Sequence, residues 1–119
     1  MIEKINIKEK FGLFSDHWHP RIIGQVNDAH IKIARLKGEF ESHHHDLEDE
    51  MFLVLEGSIS IELKDGTINL SAGEMAVIPR GTEHKPVARE EALVMFVEPA
   101  STLNTGNLKN ERTTEAHWI

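Results

Sequence analysis

The chain has 119 residues, enough to bury one hydrophobic core, so a single domain over residues 1–119 is expected. Its 13 Lys and Arg stand against 20 Asp and Glu; the net charge of −7 leaves no basic stripe for phosphates, and nucleic acid is not an expected partner. There is no cysteine, which excludes disulfides, thiolate catalysis and sulfur-ligated zinc and leaves nitrogen and oxygen as donors for any metal.

The opening MIEKINIKEK alternates charge with isoleucine and carries no apolar segment of the length that export or membrane insertion needs. The expected location is the cytoplasm, with no membrane partner. Asn6 is placed to cap a short helix from Ile7 to about Leu13, with Phe11 and Phe14 available for burial. From Arg21 onward the pattern changes to short runs rich in β-branched and large apolar residues: RIIGQV, HIKIARLK, MFLVLEG, SISIEL, TINL, MAVI and ALVMFVE. Turn chemistry separates them, at Asn27-Asp28, Gly38, Gly57, Asp65-Gly66, Gly73, Pro79-Arg80-Gly81 and Pro99. The Asp65-Gly66 pair between Ile59/Ile61/Leu63 and Ile68/Leu70 is the clearest hairpin. Many short strands without helical periods between them predict an all-β antiparallel sandwich or barrel. Residues 101–119 are polar, and two readings stay open for them: a frayed tail, or a Trp118-Ile119 pair packed on the barrel or across a dimer.

The chemistry concentrates in ESHHHDLEDE, residues 41–50. Alternate residues of an extended strand share a face, so His43 and His45 project together and His44 points away. Past a turn at Leu47 to Asp49, Glu50 is placed to fold its carboxylate back toward the same point. His84, just after the rigid Pro79-Arg80-Gly81 turn, is the candidate fourth donor. Imidazole and carboxylate donors without thiolate suit a divalent transition metal such as Mn, Fe, Co, Ni, Cu or Zn.

The stretch Gly38 to Gly57, with His43, His45 and Glu50, and the stretch Gly73 to His84, with Pro79 and Gly81, resemble the two motifs of the cupin superfamily. The resemblance spans about residues 29–98, with 15 residues between Gly57 and Gly73. It implies a double-stranded β-helix, the jelly-roll cupin barrel, with a short N-terminal helix and a metal in its mouth held by His43, His45, Glu50 and His84. Two departures are visible: one fewer residue separates Gly38 from His43 than in the family pattern, and Ala88 stands where the second motif ends in Asn. The first departure opens a rival register with His44, Asp46 and Glu50 as donors. The His43/His45 register keeps both imidazoles.

The remaining candidates are weaker. His17-Trp18-His19 has no carboxylate at a recognisable spacing and is expected at a surface or interface. His30 and His117 are expected in solvent, Arg80 in a solvated turn, and Glu41 either at the cavity or at an edge. Open positions on the metal imply a small-molecule ligand or substrate with adjacent oxygens: a hydroxy-ketone, keto acid, catechol or sugar. Small cupins include mannose-6-phosphate isomerase-like chains, so the resemblance implies either a metal-dependent isomerase, epimerase or dioxygenase, or a non-catalytic sensor with a structural metal. The chain has no tyrosine, so a tyrosine general acid is excluded. Apolar residues on both faces of the Met51–Leu55 run imply burial on two sides, and the resemblance implies a homodimer.

Overall fold

The structure, a computed structural model, describes residues 2–119. Asn6 caps the helix that follows it: its side-chain oxygen accepts a hydrogen bond from the Glu9 amide at 3.0 Å. Helix α1 (Ile7–Phe11) stops short of Leu13, where the bonds tighten to three-residue turns, the Gly12 amide donating to the Glu9 carbonyl and the Leu13 amide to the Lys10 carbonyl, both at 3.1 Å. Eight strands follow: β1 (Arg21–Val26), β2 (Ala29–Glu39), β3 (Glu50–Glu56), β4 (Ser58–Leu63), β5 (Gly66–Ser71), β6 (Met75–Ile78), β7 (His84–Pro99) and β8 (His117–Trp118). The all-β jelly roll is as expected, and the hairpin between β4 and β5 turns at Lys64-Asp65, with Leu63 opposite Gly66. Among the described residues no helix is long and apolar enough to cross a membrane.

Strand β7 binds the layers together. Its first half pairs with β4 and the end of β2, and its second half lies between β2 and β3. The inward residues of these strands form the barrel core: Ala34 and Leu36 of β2, Phe52 and Val54 of β3, Ile59 and Ile61 of β4, Val94 and Phe96 of β7. Each large side chain withdrawn from water there contributes roughly 1.5–3 kcal/mol. The opposite faces are also covered. Ile31, Ile33, Leu55, Leu93 and Met95 meet Phe11 of α1, with Ile119 packed beside them. Part of the two-sided burial expected for β3 therefore comes from the chain's own helix and terminus.

Two regions differ from the sequence pattern. The last long strand starts at His84, well before Ala92, because HKPVAREE alternates buried His84, Pro86 and Ala88 with outward Lys85 and Arg89. Its charges sit on the solvent side and mask the strand. The tail is not frayed: Thr102 and Thr105 are buried, β8 runs parallel to β1, and the Ile119 amide donates to the Ile22 carbonyl at 3.1 Å. Gly57 makes the direct passage from β3 into β4 possible. Its φ is +81°, and a Cβ there would sit 3.1 Å from the Glu91 carbonyl oxygen of β7.

Candidate metal centre

The histidine run lies between β2 and β3 and is not a continuous strand. His43 makes one bridge to His84, in which each amide donates to the other's carbonyl, at 3.0 and 2.8 Å. That bridge is enough to set the alternation. His43 and His45 are 2% and 3% exposed, whereas His44 points outward between Asp46 and Glu83, 3.0 Å from each. The Gly81 amide donates to the His45 carbonyl at 2.7 Å and the Arg80 amide to Asp49 Oδ1 at 2.9 Å, so the second turn holds the first loop in place. Glu50 opens β3 opposite Ile78 of β6. The structure thus brings His43, His45, Glu50 and His84 together, all buried, with one donor atom from each lying within 4.8 Å of the others.

The hydrogen bonds at this cluster fix which atoms face inward. His43 Nδ1 lies 2.8 Å from the Glu41 carbonyl and His84 Nδ1 lies 2.8 Å from the Thr82 carbonyl. A carbonyl only accepts, so both Nδ1 atoms carry protons, and in the neutral rings each Nε2 presents a lone pair to the centre. His84 Nε2 is 3.2 Å from Glu50 Oε1, an acceptor facing an acceptor unless a cation or a second proton lies between them. His45 is 3.5 Å from the same oxygen, and neither of its ring nitrogens has a hydrogen-bond partner. Burying such a group unpaired costs about 1–3 kcal/mol. A divalent ion bonded to nitrogen and oxygen at roughly 2.0–2.2 Å would resolve the first conflict and take up one of the two unpartnered His45 nitrogens, and the donor set suits one. Donors on such an ion lie at most about 4.4 Å apart, so the spread of up to 4.8 Å would have to contract by roughly 0.4 Å or more on binding.

The electrostatics agree. Burial pushes His43 down to about 4, outweighing the Glu41 carbonyl, which favours the charged ring; the neutral, ligand-competent form is the resting one. Burial alone would raise Glu50, but the neighbouring His45, His84 and Glu98 hold it well below the usual carboxylate range. A buried carboxylate beside the neutral His43 ring is a site that favours positive charge.

A narrow cavity of about 30 Å³, open to solvent at one side, adjoins this cluster, and His43, Glu50, Glu98 and Asn104 supply its polar lining. Trp18 and Phe40 form one wall, stacked with ring centroids 4.8 Å apart. Trp18 holds φ +62°, a conformation costing roughly 1–3 kcal/mol for a bulky residue. Its amide donates to the Arg35 carbonyl at 2.9 Å and its indole to the Lys37 carbonyl at 2.8 Å, which keeps it there. Beside Glu50, burial and the Glu50 charge raise Glu98 well above the carboxylate range, while Lys32 Nζ, 3.0 Å from Glu98 Oε1, opposes the shift.

The C-terminal segment completes the loop from outside. Asn107 brackets His44: its amide donates to the His44 carbonyl and its Oδ1 accepts from the His44 amide, both at 2.9 Å. Gly106, at φ +57°, packs so closely that a Cβ would meet His44 O at 2.2 Å and His43 Cδ2 at 2.9 Å.

The other candidates lie elsewhere. His17 pairs with Glu91 at 2.7 Å and His19 with Asp16 at 3.1 Å, both at the surface as expected. Arg80 is exposed, and Glu41 sits at the edge, 3.8 Å from Arg112. His117 is exposed, its ring edge-on to His19. His30 departs from expectation: it is half-buried against Trp118 and its Nδ1 lacks a partner, because the terminal strand covers it. Sequence reasoning missed Lys32, Glu98, Trp18, Asn104 and Asn107. A signal existed for two of them: Lys32 keeps step with Ala34 and Leu36, and Glu98 with Val94 and Phe96, so each is a charge on an inward face.

Known proteins bear on this geometry. The cupin domain family matches residues 32–98. The uncharacterized protein YdbB of Bacillus subtilis is 41% identical over 93 residues, covering 77% of this chain and 76% of its own. A solved cupin-2 domain containing protein from Shewanella frigidimarina superposes with a TM-score of 0.79 at 49% identity, over 80% of this chain and 93% of that one. An acireductone dioxygenase of Bacillus licheniformis is 30% identical over 77 residues, which is 60% of this chain but only 43% of that enzyme.

Proposed function

Because the chain belongs to the cupin family, we propose that His43, His45, Glu50 and His84 hold a divalent transition metal and that the adjoining cavity binds a small oxygen-chelating carbonyl compound, acid or sugar. The observation that carries this is the buried meeting of three imidazoles and a carboxylate, with His84 Nε2 3.2 Å from Glu50 Oε1 and His45 without a hydrogen-bond partner. A bound ion supplies a Lewis acid that polarises a carbonyl oxygen. The chain does the rest. The Glu41 and Thr82 carbonyls hold His43 and His84 in the tautomer that presents Nε2, and the Glu50 charge offsets part of the ion's. Trp18, Phe40, Phe52 and Phe96 line the cavity with apolar surface and limit water around the reacting group.

Metal-dependent dioxygenase chemistry is the reaction class that the likeness to acireductone dioxygenase supports, although the chain spans less than half of that enzyme. Residues 1–119 work as one cupin unit in the cytoplasm and pair as a homodimer. Met75 and Val77 on β6, each more than half exposed, give that pairing an apolar surface. Metal analysis of protein purified without an affinity tag tests the centre, and dioxygen uptake or carbonyl turnover by the Fe(II), Mn and Ni forms tests the reaction. Absence of stoichiometric metal would overturn the proposal. Ligand-dependent melting shifts without turnover across a broad substrate panel would turn it into a binding module. Sedimentation at micromolar concentration checks the dimer.

A further inference from the structure

Lys32 and Glu98 are 2% and 4% exposed and sit diagonally across the β2–β7 pair, where His30 is opposite Glu98 and Lys32 is opposite Phe96. Lys32 Nζ donates to Glu98 Oε1 at 3.0 Å and to the Thr102 carbonyl at 3.3 Å, so one oxygen of Glu98 is fixed. The other, Oε2, is buried without a partner, and Glu98 lines the same cavity as His43 and Glu50. Stability alone does not call for this arrangement. Further along the same inward faces Leu36 and Val94 fill the barrel without charge, and an apolar pair at 32 and 98 would avoid burying a lysine and a carboxyl group.

We propose that Glu98 is a ligand-orienting residue whose Oε2 pairs with a hydroxyl of the small molecule bound beside the metal donors, with Lys32 as the group that locks the carboxyl in place. The assignment deepens, and rests on, the reading of the cavity as the seat of an oxygen chelator. Chemistry selects the hydroxyl. A carboxylate or phosphate at this point would face both Glu98 and Glu50, and an ammonium would face Lys32 and the bound cation. A hydroxyl both donates and accepts, so it suits Glu98 with or without its proton. Since Glu98 and Glu50 line the same cavity, this hydroxyl belongs next to the chelating oxygen. The ligand class is therefore a small 2-hydroxy acid or 2-hydroxy ketone.

The test is titration calorimetry of glycolate and acetate, which differ only in that hydroxyl, into protein held saturated with Mn(II). Three proteins are compared: wild type, E98Q, and the double variant K32M/E98L, which replaces the ion pair by apolar groups of similar size so that no charge is stranded. Wild type should prefer glycolate to acetate, the double variant should lose at least about tenfold of that preference, and E98Q, which keeps the bond to Lys32 and offers an amide to the hydroxyl, should lose less. A merely structural role would weaken both acids alike and leave the ratio unchanged. An unchanged ratio in the double variant overturns the assignment while leaving the metal site standing. Failure of the wild type to take up Mn(II) or to bind either acid removes both readings together.

Discussion

Replacing Gly106 by Ala separates two physical effects at the metal loop. Ordinary contact for a Cβ begins at 3.4 Å, whereas this one would start 2.2 Å from the His44 carbonyl oxygen, so about 1.2 Å must be found. If the C-terminal segment lifts away, it gives up both Asn107 bonds to His44, each contributing on the order of 1 kcal/mol. If His44 yields instead, it drags its neighbours His43 and His45, and metal–ligand distances tolerate only about 0.2 Å. Either route should weaken metal binding by roughly 10–100-fold, the range for lost outer support of a metal ligand. The positive φ adds about 1–2 kcal/mol of backbone strain, which acts on folding rather than on the metal. Gly73→Ala is the control: its φ is +86°, yet a Cβ there meets nothing within 4 Å. Competition against a chromophoric chelator for Zn(II) or Co(II), with urea unfolding of the metal-free proteins, reads the two effects apart. Metal affinity of G106A within twofold of wild type, or an equal loss in G73A, would refute the reasoning.

Other outcomes follow from the same geometry. His43→Ala should abolish stoichiometric metal while His44→Ala spares it, read by metal analysis after dialysis; the reverse result would favour the His44/Asp46 register. In the metal-free protein, His43 titrates at about 4 when folded against 6.5 when unfolded, so between these values the unfolded chain binds the extra proton. Its contribution to stability is complete above pH 6.5 and is lost as pH falls toward 4, by about 3 kcal/mol in all, and urea midpoints at pH 7.5 and 4.5 should show the drop. Loading the site should raise the melting temperature, by the equivalent of about 2.7 kcal/mol at a hundredfold excess of free metal over Kd. A Tm that does not respond to metal at any concentration contradicts the proposed centre.

Much of this architecture can be read from the chain, because strand alternation and ligand chemistry are local properties. Phe52 and Val54 announce an inward face, and His43, His45 and Glu50 extend that logic around one bend. His84 is identified by its place after a rigid turn, and its bridge to His43 is what the turn delivers. The Lys32–Glu98 pair is different in kind. Each residue alone is an ordinary strand charge, and their meeting depends on the register between segments 66 positions apart. The C-terminal segment is held by polar contacts, such as Thr105 Oγ1 to the Leu108 carbonyl at 2.8 Å, so hydrophobic periodicity gives no sign of its order. Trp18 is hidden for a related reason: backbone strain leaves no mark in composition.

The sharing of β7 among β2, β3 and β4 has a kinetic side. During synthesis, β2, β3 and β4 leave the ribosome before their common partner exists, and until residues 84–99 follow, only the β1–β2, β4–β5 and β3–β6 pairings are available. Closure must wait for contacts distant in sequence, which places this chain among the slower, millisecond-to-second folders. A nascent or truncated form ending before His84 would present the unmated edges of β2 and β3 to its neighbours, a state in which aggregation competes directly with folding.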